Sequence, residues 1–456
     1  MSKVSFFCLL NLLMYLQIPT ANLLIFACPG WVHQQMWNNT LCGKVLPSHI
    51  FAYKEELGMS YHFFVGNDNG NSEHDLIVDG TLIQQPNVNC AVDELPWSEE
   101  QVPEGFIQRL QEQLVVTVDS PAARPGMYYV GKFALESGEI LDNLQIGIDL
   151  KCDMDLPVIN TLAQIAAVAV QKAYEEERSI PDHVDVEVDM ATALPVTQHT
   201  DETAAKFEKR FTTGVHHITV HLGIRRVAVN IVFPFVKVVP EATPVIFTLQ
   251  KDAEGKWREG EIFQEFVERY EIEKKFNGNF FKEKRILHVD IGDGSTEYPI
   301  TEGNKFLRQF VHGSHHGAGY AIEEALDEFN RLIHLPNSPR QFFSDVLKNP
   351  KHKYHARAIK TLKRPLESQV KQIVQNVKRQ ITKARNEIDL ICVYGGGSIL
   401  MRPLLNPLLD ELCVEREMQL LYIPAAYAVP LNAMGLDAFV RGKIYEALKN
   451  KAAQPA

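Results

Sequence analysis

Three stretches of the chain share one pattern, in which apolar residues run into a polar turn that contains glycine. The stretches are residues 63–72, 287–297 and 391–398. A short apolar run that stops at Gly, Asn, Asp or Ser predicts a buried β-strand followed by a tight turn. The first two strands end at Asp68 and Asp290, whereas the third runs into Gly395, Gly396 and Gly397. The chain is therefore organised around three strand-to-turn junctions.

Strand and helix patterns fill the chain between these junctions. Apolar residues at every second position predict a strand over 184–190, and an Asp-Gly pair predicts a hairpin over 76–83. Apolar residues at helical spacing predict a buried helix from Asp155, placed at the N-cap, to about Arg178. A second amphipathic helix is predicted over 366–381. These patterns predict both kinds of element but do not by themselves define a fold.

Length, charge and cysteine content narrow the class of protein. The chain has 456 residues, of which 45% are apolar and 23% charged, which is enough for two substantial cores. Its formal net charge of -11 argues against binding nucleic acid over the whole surface, because phosphate contacts need a basic face. Seven cysteines without Cys-x-x-Cys spacing indicate neither a disulfide framework nor a zinc site, and they fit a reducing cytoplasm.

Residues 1–58 differ in composition from the rest of the chain. They contain five charged side chains, yet they carry three of the seven Cys and two of the four Trp. Lys3 followed by the apolar run 4–16 imitates a secretory signal. Three interpretations stay open: a signal or anchor, a folded extension, or a stretch that is not part of the natural protein. We favour the third, because residues 54–56 can be encoded by a purine-rich ribosome-binding sequence just ahead of Met59.

The two junctions that contain Asp carry the candidate chemistry. Glycines in such a turn let the backbone fold back, so that consecutive N–H groups can point at an anion. A carboxylate beside phosphate oxygens can hold a hydrated divalent cation, which makes Asp68 and Asp290 candidate metal ligands. The candidate phosphate-contacting residues in the two turns are Asn69, Gly70, Asn71, Ser72, Gly292, Gly294, Ser295 and Thr296. The alternative for either junction alone is an ordinary tight hairpin.

The triple glycine adds a third component. At Gly395, Gly396 and Gly397 no side chain prevents a flat nucleoside from lying on the backbone, so these residues are candidate nucleoside contacts. Two phosphate hairpins, one in each half of the chain, would hold a triphosphate from both sides. Their order, followed by the triple glycine, is far more specific than any one motif.

From about Met59 onward the chain resembles the actin-like ATPase superfamily, and within it the plasmid-partition filament proteins of the ParM (StbA) type. The resemblance rests on the three junctions and on further segments at 155–161, 238–241 and 432–435. It implies an α/β actin-like ATPase fold, in which two ribonuclease-H-like domains flank a nucleotide cleft. It places domain I at 59–284, domain II at 285–423 and a C-terminal helix that returns to domain I at 424–456.

The resemblance also implies catalytic roles. In the family, a Glu in a matching turn lies across the cleft from the γ-phosphate, so Glu241 is expected to orient the attacking water or accept its proton, with Asp290 as the second catalytic residue. The alternative for Glu241 is a helix-capping acid at a strand end. Many actin-like proteins keep a Lys just after the first hairpin, whereas this chain has Glu73, His74 and Asp75, which leaves that phosphate contact without a residue.

The implied function is a nucleotide-dependent polymerising ATPase that forms filaments and segregates plasmid DNA in the cytoplasm. The expected cofactors are ATP, with GTP as the alternative, and Mg²⁺. The expected partners are other copies of the chain and a ParR-like DNA-binding adaptor on a centromere-like plasmid site, without direct nucleic-acid binding and without a membrane. The alternative of another class is a small-molecule kinase of the same superfamily. An Hsp70-like chaperone would need an additional substrate-binding domain.

Residues 348–364 are the most basic segment of the chain, with seven Lys and Arg. Their simplest interpretation is a solvated helix face. The two more specific alternatives are a contact with nucleotide and a contact with the next filament subunit.

Overall fold

The computed structural model describes residues 59–96, 103–144, 149–272, 275–336, 338 and 340–454. The interpretations of residues 1–58 lie outside the described residues.

Nine strands form the first sheet. They are β1 (Met59–Asn69), β2 (Glu73–Val78), β3 (Thr81–Pro86), β4 (Asn89–Val92), β5 (Val115–Ser120), β6 (Ala123–Val130), β7 (His183–Leu194), β8 (His216–Leu222) and β9 (Arg225–Pro240). Their order in the sheet is β3-β2-β1-β7-β9-β8-β5-β6-β4. Strand β7 lies parallel to β1 and β9, and the other neighbours are antiparallel. The carboxyl ends of three parallel strands therefore meet at one edge, which is where ligands bind in open α/β sheets.

Seven shorter strands form the second sheet. They are β10 (Arg285–Ile291), β11 (Thr296–Glu297), β12 (Ile300–Glu302), β13 (Lys305–Phe306), β14 (Gly313–Ser314), β15 (Leu390–Tyr394) and β16 (Gln419–Tyr422). Strand β10 is central: it pairs antiparallel with β11 and β12 and parallel with β15, which in turn pairs parallel with β16. The parallel register brings Asp290 opposite Tyr394, so the second Asp junction and the triple glycine leave the sheet at the same edge.

Thirteen α-helices connect the strands of the described part of the chain. They are α1 (Pro103–Gln108), α2 (Lys132–Ser137), α3 (Leu156–Glu177), α4 (Asp201–Thr212), α5 (Val245–Gln250), α6 (Gln264–Arg269), α7 (Ala318–Ile333), α8 (Arg340–Lys348), α9 (His355–Lys383), α10 (Gly396–Glu415), α11 (Ala425–Ala428), α12 (Leu431–Val440) and α13 (Lys443–Ala452). Within the described ranges, none of these helices is both long enough and apolar enough to cross a membrane.

The two long helices that the sequence predicted are present. Helix α3 matches the predicted span, and its Ala, Val, Ile and Leu side chains pack on the first sheet. Asp155 occupies the N-cap position, but its carboxylate bonds the backbone N–H of Arg124 and the guanidinium of Arg210 instead of capping the helix. Helix α9 begins earlier than predicted, because Ala358 and Leu362 continue the buried spacing upstream. It packs with α7 and α10 on the second sheet.

Residues 242–281 pack differently from the predicted domain division. The sequence assigned them to domain I, yet Ile246, Phe263 and Phe281 share a core with Ile286 and Leu421 of the second sheet. They cover the face of that sheet that α7, α9 and α10 leave open. The boundary at 284 stays a prediction, and the packing of this segment does not follow it.

The C-terminal helices lie on the first sheet. A Cβ at Gly66 of β1 would lie 2.5 Å from the backbone nitrogen of Asp437 in α12, so this crossing requires glycine. In α13, the hydroxyl of Tyr445 donates to the carbonyl of Phe235 at 2.7 Å, and Lys449 pairs with Asp189. The end of the chain is thus packed against β1, β7 and β9.

Candidate functional site

Two β-hairpins face each other between the two sheets. The first hairpin is β1, β2 and the turn at residues 70–72, and the second is β10, β11 and the turn at residues 292–295. The hydroxyl of Ser72 donates to Oδ2 of Asp293 at 2.7 Å, which joins the two turns directly. Arg340 of α8 donates to the other carboxylate oxygen of Asp293. The sequence therefore contributed two turns that the fold brings into contact.

Buried polar side chains fix the first hairpin to α3. Asn67 donates to the hydroxyl of Thr161 at 3.1 Å and accepts from Nε2 of His74 at 2.6 Å. Gln164 donates to Nδ1 of His74 at 3.0 Å. All four side chains are fully buried. Burial, with a smaller contribution from Lys151, lowers the pKa of His74 to about 3, so the imidazole is neutral and uses each ring nitrogen once.

The first hairpin places two carboxyl groups opposite each other. Asp68 of β1 pairs in register with Asp75 of β2. Burial, together with the charge of Asp68, raises the pKa of Asp75 to about 7. Burial raises the pKa of Asp68 to about 7, although the charge of Lys151 lowers it. Directly opposed carboxylates repel, so this pair favours either a proton or a cation.

The second hairpin repeats this arrangement. Asp290 of β10 pairs in register with Glu297 of β11. Burial, together with the charges of Asp68 and Glu241, raises the pKa of Asp290 to about 8, while a hydrogen bond from Asn432 opposes the shift. The pKa of Glu297 lies well above its usual range because the side chain is buried near Glu241. Among the described residues, Oε2 of Glu297 has no hydrogen-bond partner.

Close backbone packing fixes the second hairpin. The backbone N–H groups of Ala318 and Gly319, at the start of α7, donate to the carbonyls of Gly292 and Asp293 at 3.1 and 2.7 Å. Gly395 has φ +86°, and a Cβ there would lie 2.4 Å from the carbonyl oxygen of Ile291. The triple glycine thus lets α10 begin against the phosphate-type turn, where the positive end of the helix dipole favours an anion.

Glu241 and Lys151 form an ion pair at the edge of the same cleft. Glu241 directly follows β9, and its backbone N–H donates to the carbonyl of Leu194 at 2.8 Å. Nζ of Lys151 donates to Oε1 of Glu241 at 3.0 Å, and the side chain of Lys151 is 4% exposed. Lys151 comes from the segment before α3, where its backbone N–H bonds Gln198. A buried cation therefore lies beside the carboxylates of both hairpins.

The carboxylates Asp68, Asp290, Glu241 and Glu297 influence one another electrostatically. Among the described residues, no three His, Cys, Asp or Glu side chains are grouped as ligands for a metal ion. The protein alone therefore does not enclose a cation. The raised pKa values nevertheless show a deficit of positive charge between Asp68 and Asp290, which suits Mg²⁺ that is coordinated mainly by phosphate and water.

Some predicted nucleotide contacts have side chains that are already used within the protein. Asn69 is fully buried and donates to the carbonyl of Pro157 at 3.3 Å, and Thr296 donates to the carbonyl of His316 at 2.6 Å. Their roles at phosphate stay predictions that rest on the backbone. The other predicted residues lie in the two turns or at the start of α10, namely Gly70, Asn71, Ser72, Gly292, Gly294, Ser295, Gly395, Gly396 and Gly397.

Sequence reasoning missed Lys151 and the contact made by Asn432. Asn432, at the start of α12, donates to Oδ2 of Asp290 at 2.6 Å and accepts from the backbone N–H of Ala242 at 3.2 Å. The segment 432–435 had been noted only as part of the resemblance. The signal for Lys151 was indirect: the first hairpin lacks a lysine, so a cation had to come from another segment.

Comparisons with known proteins agree with this geometry at the level of the fold. No protein-family model and no curated protein sequence matches the chain. Three solved structures are similar to it. They are actin-like protein Alp7A (TM-score 0.60, 15% identity, 87% of this chain and 100% of that chain), a non-polymerisable quadruple mutant of pCBH ParM (0.56, 14%, 84% and 99%) and Bacillus thuringiensis ParM with ATP (0.52, 13%, 85% and 99%).

These similarities establish an actin-like fold for the chain, as the sequence resemblance implied. In such α/β folds the carboxyl ends of the parallel strands bear the ligand site. The two hairpins and the triple glycine occupy those ends in this protein.

Proposed function

We propose that this chain is a nucleotide-dependent ATPase that polymerises into filaments and moves plasmid DNA through a DNA-bound adaptor. The observation that carries the proposal is the meeting of two strand-Asp hairpins, joined through Ser72 and Asp293, beside the triple glycine. The similar structures support it, since one is ParM with ATP and another is a ParM mutant described as non-polymerisable. The plasmid role and the ParR-like adaptor come from the resemblance of the sequence.

Each group of the site has a defined task in this proposal. Asp68 and Asp290 hold the waters of Mg²⁺, which when bound would neutralise the phosphate oxygens. Lys151 supplies the cation that the first hairpin lacks. Glu241 orients the attacking water or accepts its proton. The backbone N–H groups of both turns and of α10 cradle the phosphates, and the small side of Gly395 leaves room for the nucleoside.

Hydrolysis would then act on assembly through the cleft. The γ-phosphate would touch both hairpins, so its loss removes a link between the two sheets. GTP is the alternative nucleotide. A cytoplasmic location follows from the supply of nucleotide and from the plasmid DNA that the filament would move.

The test is light scattering of the purified protein with ATP, GTP, ADP and a non-hydrolysable ATP analogue. We expect scattering to rise with ATP or GTP and then decay, and to persist with the analogue. Soluble protein under all nucleotides, together with phosphate transfer to a sugar, would instead establish the kinase alternative.

Glu241→Ala tests the catalytic assignment within this assay. We expect assembly to remain and phosphate release to slow by at least about 100-fold, because the variant keeps the metal-facing carboxylates but lacks the water-positioning one. Glu259→Ala is the matched control, since Glu259 pairs only with Lys275 at the surface. Asp290→Ala should instead weaken binding of the metal–nucleotide complex. Phosphate release at the wild-type rate in Glu241→Ala would refute its role.

A further inference from the structure

Charge is distributed very unevenly along the chain. Residues 340–385, which include α8 and α9, contain thirteen Lys and Arg but only two Asp and Glu. The remaining residues contain 33 Lys and Arg against 55 Asp and Glu. A chain with a net charge of -11 thus carries a segment of net charge +11. Such segregation produces a surface potential of opposite sign to that of the molecule as a whole.

The most basic part of this region, residues 348–364, is exposed. No Asp or Glu occurs between 346 and 366. Ala358 and Leu362 face the core, whereas Lys360, Lys363 and Arg364 are exposed on the other side of α9. None of the seven Lys and Arg in this basic segment forms a salt bridge with a carboxylate of the described residues. Their charge is therefore available to a partner.

The basic segment projects past the level of the phosphate-type turns. Gln369 of α9 accepts or shares a hydrogen bond with His316 at 3.0 Å, next to the second hairpin. Further along α9, Gln380 donates to the carbonyls of Tyr298 and Phe310, which lie beside the second sheet. The fourteen residues from His355 to Gln369 therefore extend away from the sheet by about 20 Å.

An acidic cluster lies at the opposite end of the strands in the first sheet. Its members are Glu175, Glu176, Glu177, Asp182, Asp185 and Glu187. They occupy the end of α3 and the start of β7. Helix α3 passes the first hairpin at Pro157 and ends twenty residues later, so the acidic cluster lies about 30 Å from that hairpin. Glu175 and Glu177 form no salt bridge within the described residues.

We propose that the basic segment of one copy docks on the acidic cluster of the next copy, as a head-to-tail contact. This inference rests on the proposed function, because it names the contact by which the filament grows. Two different surfaces that complement each other produce an open, repeating assembly, whereas a single self-complementary surface would close as a dimer. Copies with a net charge of -11 repel one another, so a basic patch facing an acidic one also offsets that repulsion.

The alternative partner of the same charge is duplex DNA, whose phosphates would also bind a basic segment. A second copy is favoured because the complementary acidic cluster is present on the same chain. The excess of acidic residues outside 340–385 would in addition repel DNA from the rest of the surface.

Three variants test the contact by charge reversal. The basic reversal is Lys360→Glu, Lys363→Glu and Arg364→Glu, and the acidic reversal is Glu175→Lys, Glu177→Lys and Glu187→Lys. The double reversal combines both sets in one chain. The matched control is Lys256→Glu, Lys282→Glu and Lys305→Glu, because these lysines are equally exposed and lie outside the basic segment. Nucleotide binding is measured on every variant as a check that the cleft is intact.

We expect each single reversal to raise the critical concentration for assembly at least about tenfold without changing nucleotide binding. The double reversal should restore it to within about threefold of wild type, and an equimolar mixture of the two single reversals should assemble although neither does alone. Raising the salt concentration should weaken assembly of the wild type, since exposed charges are screened beyond about 10 Å at 0.1 M.

The outcomes separate this inference from the proposed function. If the wild type assembles and the basic reversal assembles equally well, the docking contact is wrong while the filament function stands. If the double reversal fails to recover assembly although it binds nucleotide, the acidic cluster is not the partner surface and the proposal is overturned. If the basic reversal abolishes binding to a 30-base-pair duplex and leaves assembly unchanged, the surface binds DNA. If the wild type never assembles, both proposals fail.

Discussion

The two hairpins of the cleft look alike in sequence but are held in place by different forces. Both carry a pair of opposed carboxyl groups, Asp68 with Asp75 and Asp290 with Glu297. The first hairpin is fixed by hydrogen bonds among buried side chains that reach α3. The second is fixed by close contacts of its backbone with α7 and with Gly395.

This difference shows which kind of change each hairpin tolerates. A hydrogen-bonded side-chain network fails when one polar member is removed, because the remaining members are left buried without partners. A close backbone contact fails when an atom is added, because neither backbone can move without disturbing the sheet. Removing side-chain atoms should therefore damage the first hairpin, and adding them should damage the second.

The largest effect is expected for Gly395→Ala. The added Cβ would approach the carbonyl oxygen of Ile291 to 2.4 Å and Oδ1 of Asp290 to 2.6 Å, at a positive φ that alanine disfavours. We expect a loss of at least about 3 kcal/mol in the free energy of unfolding, measured by denaturant titration. Gly396→Ala is the control, since its nearest neighbouring atom would lie 3.9 Å away. Equal stability of the two variants would contradict the account of the second hairpin.

The next largest effect is expected for Asn67→Ala in the first hairpin. The variant leaves Nε2 of His74 and the hydroxyl of Thr161 without their amide partner in a fully buried site. We expect the free energy of unfolding to fall by about 2 kcal/mol. The exposed Asn450 of α13 offers a control, whose substitution by Ala should change stability by less than about 0.5 kcal/mol. An unchanged denaturation midpoint in Asn67→Ala would show that the network does not anchor the hairpin.

Lys151→Ala tests whether the first hairpin borrows its cation. We expect the dissociation constant for Mg²⁺–ATP to rise at least about tenfold, or about 1.4 kcal/mol, because a buried positive charge is lost beside the phosphates. Lys237 is a matched control, since it also pairs with a glutamate of the same sheet region but lies outside the cleft. Isothermal titration calorimetry measures both. The same affinity in Lys151→Ala and Lys237→Ala would remove Lys151 from the site.

A smaller effect concerns the pH dependence of stability. Burial lowers the pKa of His74 to about 3 in the folded chain, whereas its usual value is 6.5. The unfolded chain therefore binds a proton first as the pH falls, so the stability that His74 contributes is complete above pH 6.5 and is lost below it. Between pH 7 and pH 6 the loss is about 0.7 kcal/mol. His74→Gln should lose this share of the pH dependence, and identical pH slopes for the two proteins would refute a neutral, buried His74.

The sequence identified the parts of the site that depend on local pattern. Alternation and apolar runs located β1, β7, β10 and β15, because burial of one face of a strand imposes a period of two. The Asp-Gly pair located the β2–β3 turn, where Asp79 and Gly80 have positive φ. The start of α9 was placed eleven residues too late, because the charged residues of the basic segment obscured its apolar spacing.

The sequence alone thus determined the strands, the turns and the Asp and Gly residues at their ends, since these follow from contacts between residues close in the chain. Only the tertiary structure decided which distant residues meet there. Lys151 and Glu241 are 90 positions apart, and Asp290 and Asn432 are 142 apart. Their proximity depends on how α3, β9 and α12 pack on the sheets, and the packing of such elements is fixed by the summed burial of many side chains and is not encoded in any local spacing.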